Sequence, residues 1–171
     1  MKTYTTLPGP GIRKCYIDSA DQGNDYLCAI AYQEIGTLKY ILDVIYTQEP
    51  AEKTETLTAN FLNINKVNKC RIESNSGGRA FGRNVERLSS ELGNHRVMFE
   101  YFHQSKNKEA RILSNSSTVC NTVVFPVDWQ VKWPDFYDSV TNFIPGARGQ
   151  HDDAEDALTG IVEVSGQSYI Y

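Results

Sequence analysis

The sequence lacks the motifs of several self-contained enzyme classes. No G-x-x-x-x-G-K-[ST] segment occurs among the 171 residues, which excludes a P-loop ATPase within this chain. There is no G-x-S-x-G elbow, and the three histidines, His95, His103 and His151, suggest no pairing with a serine or a cysteine. Nucleophilic catalysis by a side chain is therefore not indicated.

Cysteines and long apolar runs are also scarce. The four cysteines, Cys15, Cys28, Cys70 and Cys120, include no C-x-x-C pair and have no histidine at zinc-ligand spacing. They predict buried free thiols in a reducing compartment. The longest apolar run, residues 26–32, is too short to cross a membrane, and the N-terminus shows no apolar signal segment. We therefore expect a cytoplasmic protein.

An excess of positive charge is absent, because the formal net charge is -4. Surfaces that bind nucleic acids are usually basic, so this value at first argues against a polyanionic partner. Several acids, however, gather near the ends of predicted elements. If metal ions neutralise those acids, the remaining surface is mildly basic and compatible with phosphate chemistry.

The pattern of apolar residues and turns predicts one α/β domain over residues 12–171. Residues 1–11 contain Pro8-Gly9-Pro10-Gly11 and are expected to be an N-terminal tail or linker. Three strands, 13–18, 26–33 and 38–46, are separated by tight turns and predict an antiparallel meander. The elements expected after them are helix 52–66, strand 69–73, helix 77–92, strand 96–102, helix 106–120, the short extended segment 122–125, and helices 133–143 and 152–164.

Three antiparallel strands followed by alternating helices and strands is the order of a ribonuclease H-like fold. We expect a mixed five-stranded sheet flanked by helices. In such a sheet the first strand lies centrally, so Asp18 at its end can face Glu73 on the next-paired strand. The terminal helix would bring Asp152 and Asp153 to the same place.

Carboxylates at these three positions predict a site for hard divalent cations, Mg²⁺ or Mn²⁺. Two ions roughly 3.5–4 Å apart can activate water and stabilise the leaving oxygen of a phosphodiester. We assign Asp18 as the bridging ligand, Glu73 to one ion, and Asp153 with Asp152 to the other. Asp156 either reaches the site or faces solvent, and Asp152 can also cap the helix.

Two groups of basic residues are candidate contacts to DNA phosphates. Arg79, Arg83 and Arg87 recur every four residues and therefore share one helix face. The alternative is a solvated face on which Glu86 and Glu91 neutralise them. The second group begins the following helix and either contacts phosphates or belongs to an ordinary charged surface; it comprises Lys106, Lys108 and Arg111.

Short motifs surround the acids. They are Tyr16-Ile17-Asp18-Ser19-Ala20, Ile72-Glu73-Ser74-Asn75, Lys108-Glu109-Ala110-Arg111-Ile112, Val123-Val124-Phe125-Pro126 and His151-Asp152-Asp153 with Asp156-Ala157-Leu158. Together they resemble the C-terminal nuclease domain of the large terminase subunit of tailed bacteriophages, over about residues 13–164. The resemblance implies a two-metal endonuclease that cuts concatemeric viral DNA in the bacterial cytoplasm, with Asp18, Glu73 and Asp153 as its acidic triad.

The same resemblance implies double-stranded DNA as the substrate. It also implies the terminase ATPase domain, the portal and the small terminase subunit as partners. Because the sequence carries no ATPase motif, we expect either an excised domain or a separately encoded protein. Two other functions stay open: a resolvase- or transposase-like nuclease of the same fold, and a non-catalytic module that docks on DNA or the portal.

Overall fold

A mixed sheet of seven strands organises the structure, a computed structural model that describes residues 1–20 and 24–165. The strands are β1 (Lys2–Tyr4), β2 (Ile12–Asp18), β3 (Leu27–Ile35), β4 (Leu38–Thr47), β5 (Lys69–Glu73), β6 (Met98–Phe102) and β7 (Val123–Pro126). The helices are α1 (Ala51–Ile64), α2 (Gly78–Glu91), α3 (Lys108–Thr122), α4 (Trp129–Lys132), α5 (Pro134–Asn142) and α6 (Asp153–Ser165).

The strands lie in the order β1-β7-β4-β3-β2-β5-β6. Strands β2, β3 and β4 form the predicted antiparallel meander, whereas β5 runs parallel to β2, β6 parallel to β5, and β7 parallel to β4. The α/β class and the mixed ribonuclease H-like sheet are therefore confirmed. None of the helices among the described residues is both long enough and apolar enough to cross a membrane.

The sheet has two more strands than the five expected from the sequence. The short segment predicted over 122–125 is a true strand, β7. Residues 1–11 are not simply a tail, because Lys2–Tyr4 pairs in parallel with β7 as an edge strand, and the Tyr4 hydroxyl donates to the Ile41 carbonyl at 2.6 Å. Three residues before a Pro-Gly segment carry too little periodicity to reveal a strand whose pairing partner lies about 120 residues away.

Two hydrophobic cores lie on opposite faces of the sheet. Alternation along β2 directs Tyr16 into the core beneath α5 and α6, and Cys15 and Ile17 into the core beneath α1 and α2. Gly160 of α6 packs directly on the Tyr16 ring, and a Cβ at that position would overlap the ring. The α6 helix is therefore seated closely on the strand that carries Asp18.

The direction of β2 and β5 places the predicted acids together. These strands are parallel, with Ile17 opposite Ile72, so Asp18 and Glu73 end adjacent strands at the same edge of the sheet. Helix α6 begins at this edge with Asp153 and packs against β2 and β3. Three segments separated by more than 50 residues thus converge on one point.

Candidate metal centre

Five carboxylates meet at the edge of the sheet where β2, β5 and α6 converge. Asp18 and Glu73 come from the strand ends, Asp153 and Asp156 from the first turn of α6, and Asp152 from the residue just before it. A helix N-terminus favours negative charge, which helps α6 to accommodate its acids. The Tyr26 backbone N–H donates to Asp153 Oδ2 at 3.2 Å and fixes that carboxylate toward the cluster.

The acids differ in depth. Asp18, Glu73, Asp152 and Asp153 line a cleft of about 290 Å³, whereas Asp156 is only 1% exposed. One carboxylate oxygen from each of Asp18, Glu73 and Asp156 lies within 4.8 Å of the other two. The third predicted member of the triad, Asp153, faces the same cleft but is not part of this closest group. Asp156 therefore reaches the cluster and does not face solvent.

Two of these oxygens have no hydrogen-bond partner. Asp18 Oδ2 and Glu73 Oε2 are buried and accept no hydrogen bond within the described residues. A buried carboxylate oxygen without a hydrogen bond is costly because it has lost water, and for Asp18 Oδ2 the Lys108 ammonium at 3.7 Å offsets only part of that cost. An all-oxygen donor set with unused lone pairs fits the coordination preferences of Mg²⁺ and Mn²⁺.

Lys108 places an ammonium group among the acids. Its Nζ lies 3.7 Å from Asp18 Oδ2, 3.2 Å from Asp152 Oδ1, 3.1 Å from Asp153 Oδ1 and 3.5 Å from Asp156 Oδ2. Burial alone lowers the pKa of Lys108, but the four carboxylates outweigh burial and raise it. The side chain predicted to touch DNA phosphate is thus directed inward, where it neutralises part of the acidic cluster.

The acids themselves are shifted toward protonation. Burial raises the pKa of Asp18 well above its ordinary value, and the neighbouring carboxylates raise it further, against the opposing effect of Lys108. Burial likewise raises the pKa of Glu73 and of Asp156. A divalent cation reverses this balance, because it favours the ionised form of each ligand.

Arg111, which the sequence predicts as a surface contact to DNA, is buried in the structure. The side chain is 3% exposed, Nη1 lies 2.6 Å from Asp156 Oδ1, and Nη2 lies 2.7 Å from Glu163 Oε2. Nε also donates to Glu163, at 3.1 and 3.2 Å to its two oxygens. The guanidinium therefore holds Asp156 in place beneath the cluster.

The pairing of Lys108 and Arg111 with acids of α6 was not predicted from the sequence, although the spacing of the residues within each helix was consistent with it. Lys108 and Arg111 lie one turn apart on α3, and Asp156 and Glu163 lie two turns apart on α6, so each pair shares a helix face. Only the packing of α3 against α6 reveals that these faces meet.

The arginine stripe of α2 consists of Arg79, Arg83 and Arg87. It lies on the opposite face of the sheet, over the core that packs beneath α1 and α2. The guanidinium groups of Arg79 and Arg83 each lie 5.2 Å from the centre of the Tyr101 ring. Arg83 also approaches Glu86 at 3.7 Å, and Arg87 pairs with Glu91 at 2.6 Å. These pairs are exposed and therefore weak, so the arginines can exchange them for phosphate contacts. Lys106 is exposed in the segment that precedes α3.

Comparisons with known proteins support the fold described above. The family model described as "Terminase Bacteriophage T7, Ribonuclease H-like domain" matches residues 17–123, which include Asp18 and Glu73 but end before α6. A search of curated proteins found no match.

Among solved structures, the nuclease domain of the human cytomegalovirus terminase, Mn-soaked and inhibitor-bound, is similar with a TM-score of 0.65 and 14% identity, over 95% of this chain and 88% of that one. The nuclease domain of the bacteriophage SPP1 large terminase with bound Mn has a TM-score of 0.59 and 15% identity, over 90% and 86%. The fowlpox virus Holliday junction resolvase has a TM-score of 0.56 and 12% identity, over 92% and 100%.

The buried Arg111 network makes a prediction about stability. Replacing Arg111 with Met removes the cation of Glu163 and leaves Asp156 with only the longer contact to Lys108, so Arg111→Met should lower the free energy of unfolding by about 3–5 kcal/mol at neutral pH. Arg87→Met removes an exposed pair and should change it by less than about 1 kcal/mol. Urea unfolding of both variants measures the difference; equal losses would contradict the assignment.

Proposed function

This chain belongs to the family of the ribonuclease H-like domain of the bacteriophage T7 terminase, and on that premise we propose that it is a metal-dependent endodeoxyribonuclease that cuts concatemeric viral DNA during genome packaging. The observation that carries the proposal is a pair of buried oxygens, Asp18 Oδ2 and Glu73 Oε2, that accept no hydrogen bond among the described residues and lie within the family match. Such oxygens are ready ligands for a divalent cation.

The residues divide by position. Asp18 belongs both to the close group with Glu73 and Asp156 and to the cleft that Asp152 and Asp153 line, so it would be the shared ligand, with Glu73 holding one ion and Asp153 with Asp152 the other. Two ions, Mg²⁺ or Mn²⁺, supply an activated water and stabilisation of the leaving oxygen when bound. The catalytic set is then Asp18, Glu73 and Asp153, and Arg111 keeps Asp156 oriented. The cytomegalovirus domain was soaked with Mn and the SPP1 domain has bound Mn, which supports this choice of metal.

The substrate and partners follow from family membership. Double-stranded DNA is the proposed substrate, with Arg79, Arg83, Arg87 and Lys106 as phosphate contacts. The terminase ATPase domain, the portal and the small terminase subunit are the proposed partners.

A junction resolvase is the second candidate function, because the fowlpox virus resolvase shares the fold over 92% of this chain. The two functions differ in substrate. A terminase nuclease cuts linear duplex DNA, whereas a resolvase cuts four-way junctions in preference to the matching duplex. A non-catalytic docking module is disfavoured, because Asp18, Glu73, Asp152, Asp153 and Asp156 are all present at the cluster.

The bridging role of Asp18 is tested by Asp18→Asn. This change keeps the side-chain volume but removes the charge shared by both ions, so Mn²⁺-dependent cleavage of supercoiled plasmid should be lost while the circular dichroism spectrum stays unchanged. Asp128→Asn, at an exposed position paired with Lys132, should cleave like the wild type. Cleavage by Asp18→Asn at the wild-type rate would contradict the proposed mechanism.

Metal binding should stabilise the fold by mass action. Mg²⁺ or Mn²⁺ at about 100 times its Kd should add about 2.7 kcal/mol and raise the Tm, and the triple variant Asp18→Asn, Glu73→Gln, Asp153→Asn should show no rise. A rise that persists in the triple variant would place the metal elsewhere.

The metal effect should also depend on pH. The raised pKa values of Asp18, Glu73 and Asp156 mean that the metal-free fold is stabilised by protonation at low pH and loses that stability as pH rises through the folded pKa values. Protons also compete with the ions, so the metal-induced rise in Tm should be larger at about pH 8 than at about pH 5.5.

The arginine stripe is tested by its salt dependence. Replacing Arg79, Arg83 and Arg87 with Ala should weaken DNA binding about equally for different sequences and flatten the plot of log affinity against log salt by roughly one unit per lost contact. Arg96→Ala is the matched control, because Arg96 is an exposed arginine just before β6 begins, at the end of that strand far from the metal centre. A loss confined to one DNA sequence would instead indicate base recognition.

A further inference from the structure

A second cleft, of about 610 Å³, lies beside the metal centre on the sheet face that carries α3 and α6. Its floor includes Tyr16 of β2, Arg71 of β5 and Phe102 of β6, and its rim includes His103 and Lys106. Helix α6 covers β2 and β3 on this face, so the outer strands β5 and β6 are left partly open beside it.

Arg71 gives this cleft an unused positive charge. Its Nε is buried and donates no hydrogen bond to any described residue, and its guanidinium carbon lies 4.1 Å from the centre of the Phe102 ring. Among the described residues no carboxylate lies within ion-pair distance of Arg71, although Glu100 occupies the adjacent register position on β6. A cation held against an aromatic ring without an anion is ready to accept one.

The other charges of the cleft leave it net positive. Among the described residues that line the cleft, Glu163 is the one acid, and both of its oxygens accept from Arg111. Lys106 is exposed at the rim and has no ion pair among the described residues. The neighbouring metal centre is, by contrast, dominated by carboxylates.

The cleft and the metal centre are joined by one ordered segment. Asn75, which lines the metal centre, donates to the Gln104 carbonyl at 2.8 Å and accepts from the Gln104 N–H at 2.8 Å. Gln104 itself lines the second cleft, and four residues later Lys108 enters the metal centre. The two sites therefore share a wall.

The spacing along β5 suits a nucleic acid strand. Arg71 precedes Glu73 by two residues, so both side chains emerge on the same face of the sheet, roughly 7 Å apart along the strand. A DNA strand advances about 3.4 Å per nucleotide along the helix axis, so a phosphate at the metal centre has neighbours within one or two nucleotides of Arg71.

We propose that this cleft binds a backbone phosphate of the DNA strand that is cut, one or two nucleotides from the scissile phosphate, through Arg71 assisted by Lys106. The proposal rests on the proposed nuclease function and adds to it a positioning residue on β5. It also gives DNA a contact on the α3 and α6 face, whereas the arginines of α2 lie on the opposite face of the sheet.

The test compares Arg71→Met with Arg71→Lys and with Arg96→Met. Methionine keeps an unbranched side chain against Phe102 but removes the positive charge, and lysine restores that charge. Arg96 serves as the control because it is an exposed arginine just before β6 begins. Affinity for a short fluorescent duplex is measured over a range of salt concentrations with Ca²⁺ in place of the catalytic metal. KM and kcat are measured for Mn²⁺-dependent plasmid cleavage.

Arg71→Met should bind about tenfold more weakly, with a salt slope smaller by about one unit, and should raise KM with little change in kcat. Arg71→Lys should recover most of the affinity, and Arg96→Met should match the wild type. The Mn²⁺-induced rise in Tm should be unchanged in all three variants, because none removes a metal ligand.

Equal affinity and slope for Arg71→Met and Arg96→Met would overturn the phosphate site while leaving the nuclease proposal intact. Loss of the Mn²⁺-induced rise in Arg71→Met would also overturn it, since Arg71 would then serve the metal centre. A wild-type chain that binds duplex through Arg71 but never cleaves would refute the nuclease function alone. A wild-type chain that neither binds nor cleaves DNA would refute both.

Discussion

Concentrated negative charge at one edge of the sheet is the constraint on which the rest of this structure depends. Five carboxylates converge there, and two cationic side chains, Lys108 and Arg111, approach them directly. Like charges held this closely raise the pKa of one another, and burial strengthens the effect. The fold tolerates the cluster because α3 supplies both cations from successive turns of a single helix face.

Those two cations have different roles. Arg111 is fully buried and holds Asp156 and Glu163 with short hydrogen bonds, so it belongs to the permanent framework. Lys108 is more exposed and lies 3.1–3.7 Å from four carboxylates without a matching fork geometry. An ammonium held as a point charge is more easily displaced than a bidentate guanidinium. The framework thus keeps the ligands in position while Asp18 and Glu73 each retain an oxygen that accepts no hydrogen bond among the described residues.

Charge also organises the surroundings of the acids. The centre itself repels a polyanion in the absence of metal, so any contact with DNA depends on cations placed around it. The structure supplies arginines on α2 on one side of the sheet, and Arg71 with Lys106 on the other. A net charge of -4 is therefore compatible with binding DNA, because the charges are segregated by location.

The sequence by itself determined the α/β class, the order of the main elements from β2 to β7 and the strand ends at which Asp18 and Glu73 lie, because apolar periodicity and turn residues are local signals. Three features depended on the tertiary structure: the short edge strand Lys2–Tyr4, the inward direction of Lys108 and the burial of Arg111. Each depends on a partner 45 residues or more away in the chain, and no local pattern encodes which faces of two helices or strands will meet. The same reason explains Asp156, whose place beneath the acidic cluster was undecided in the sequence and was settled by the packing of α6 against α3.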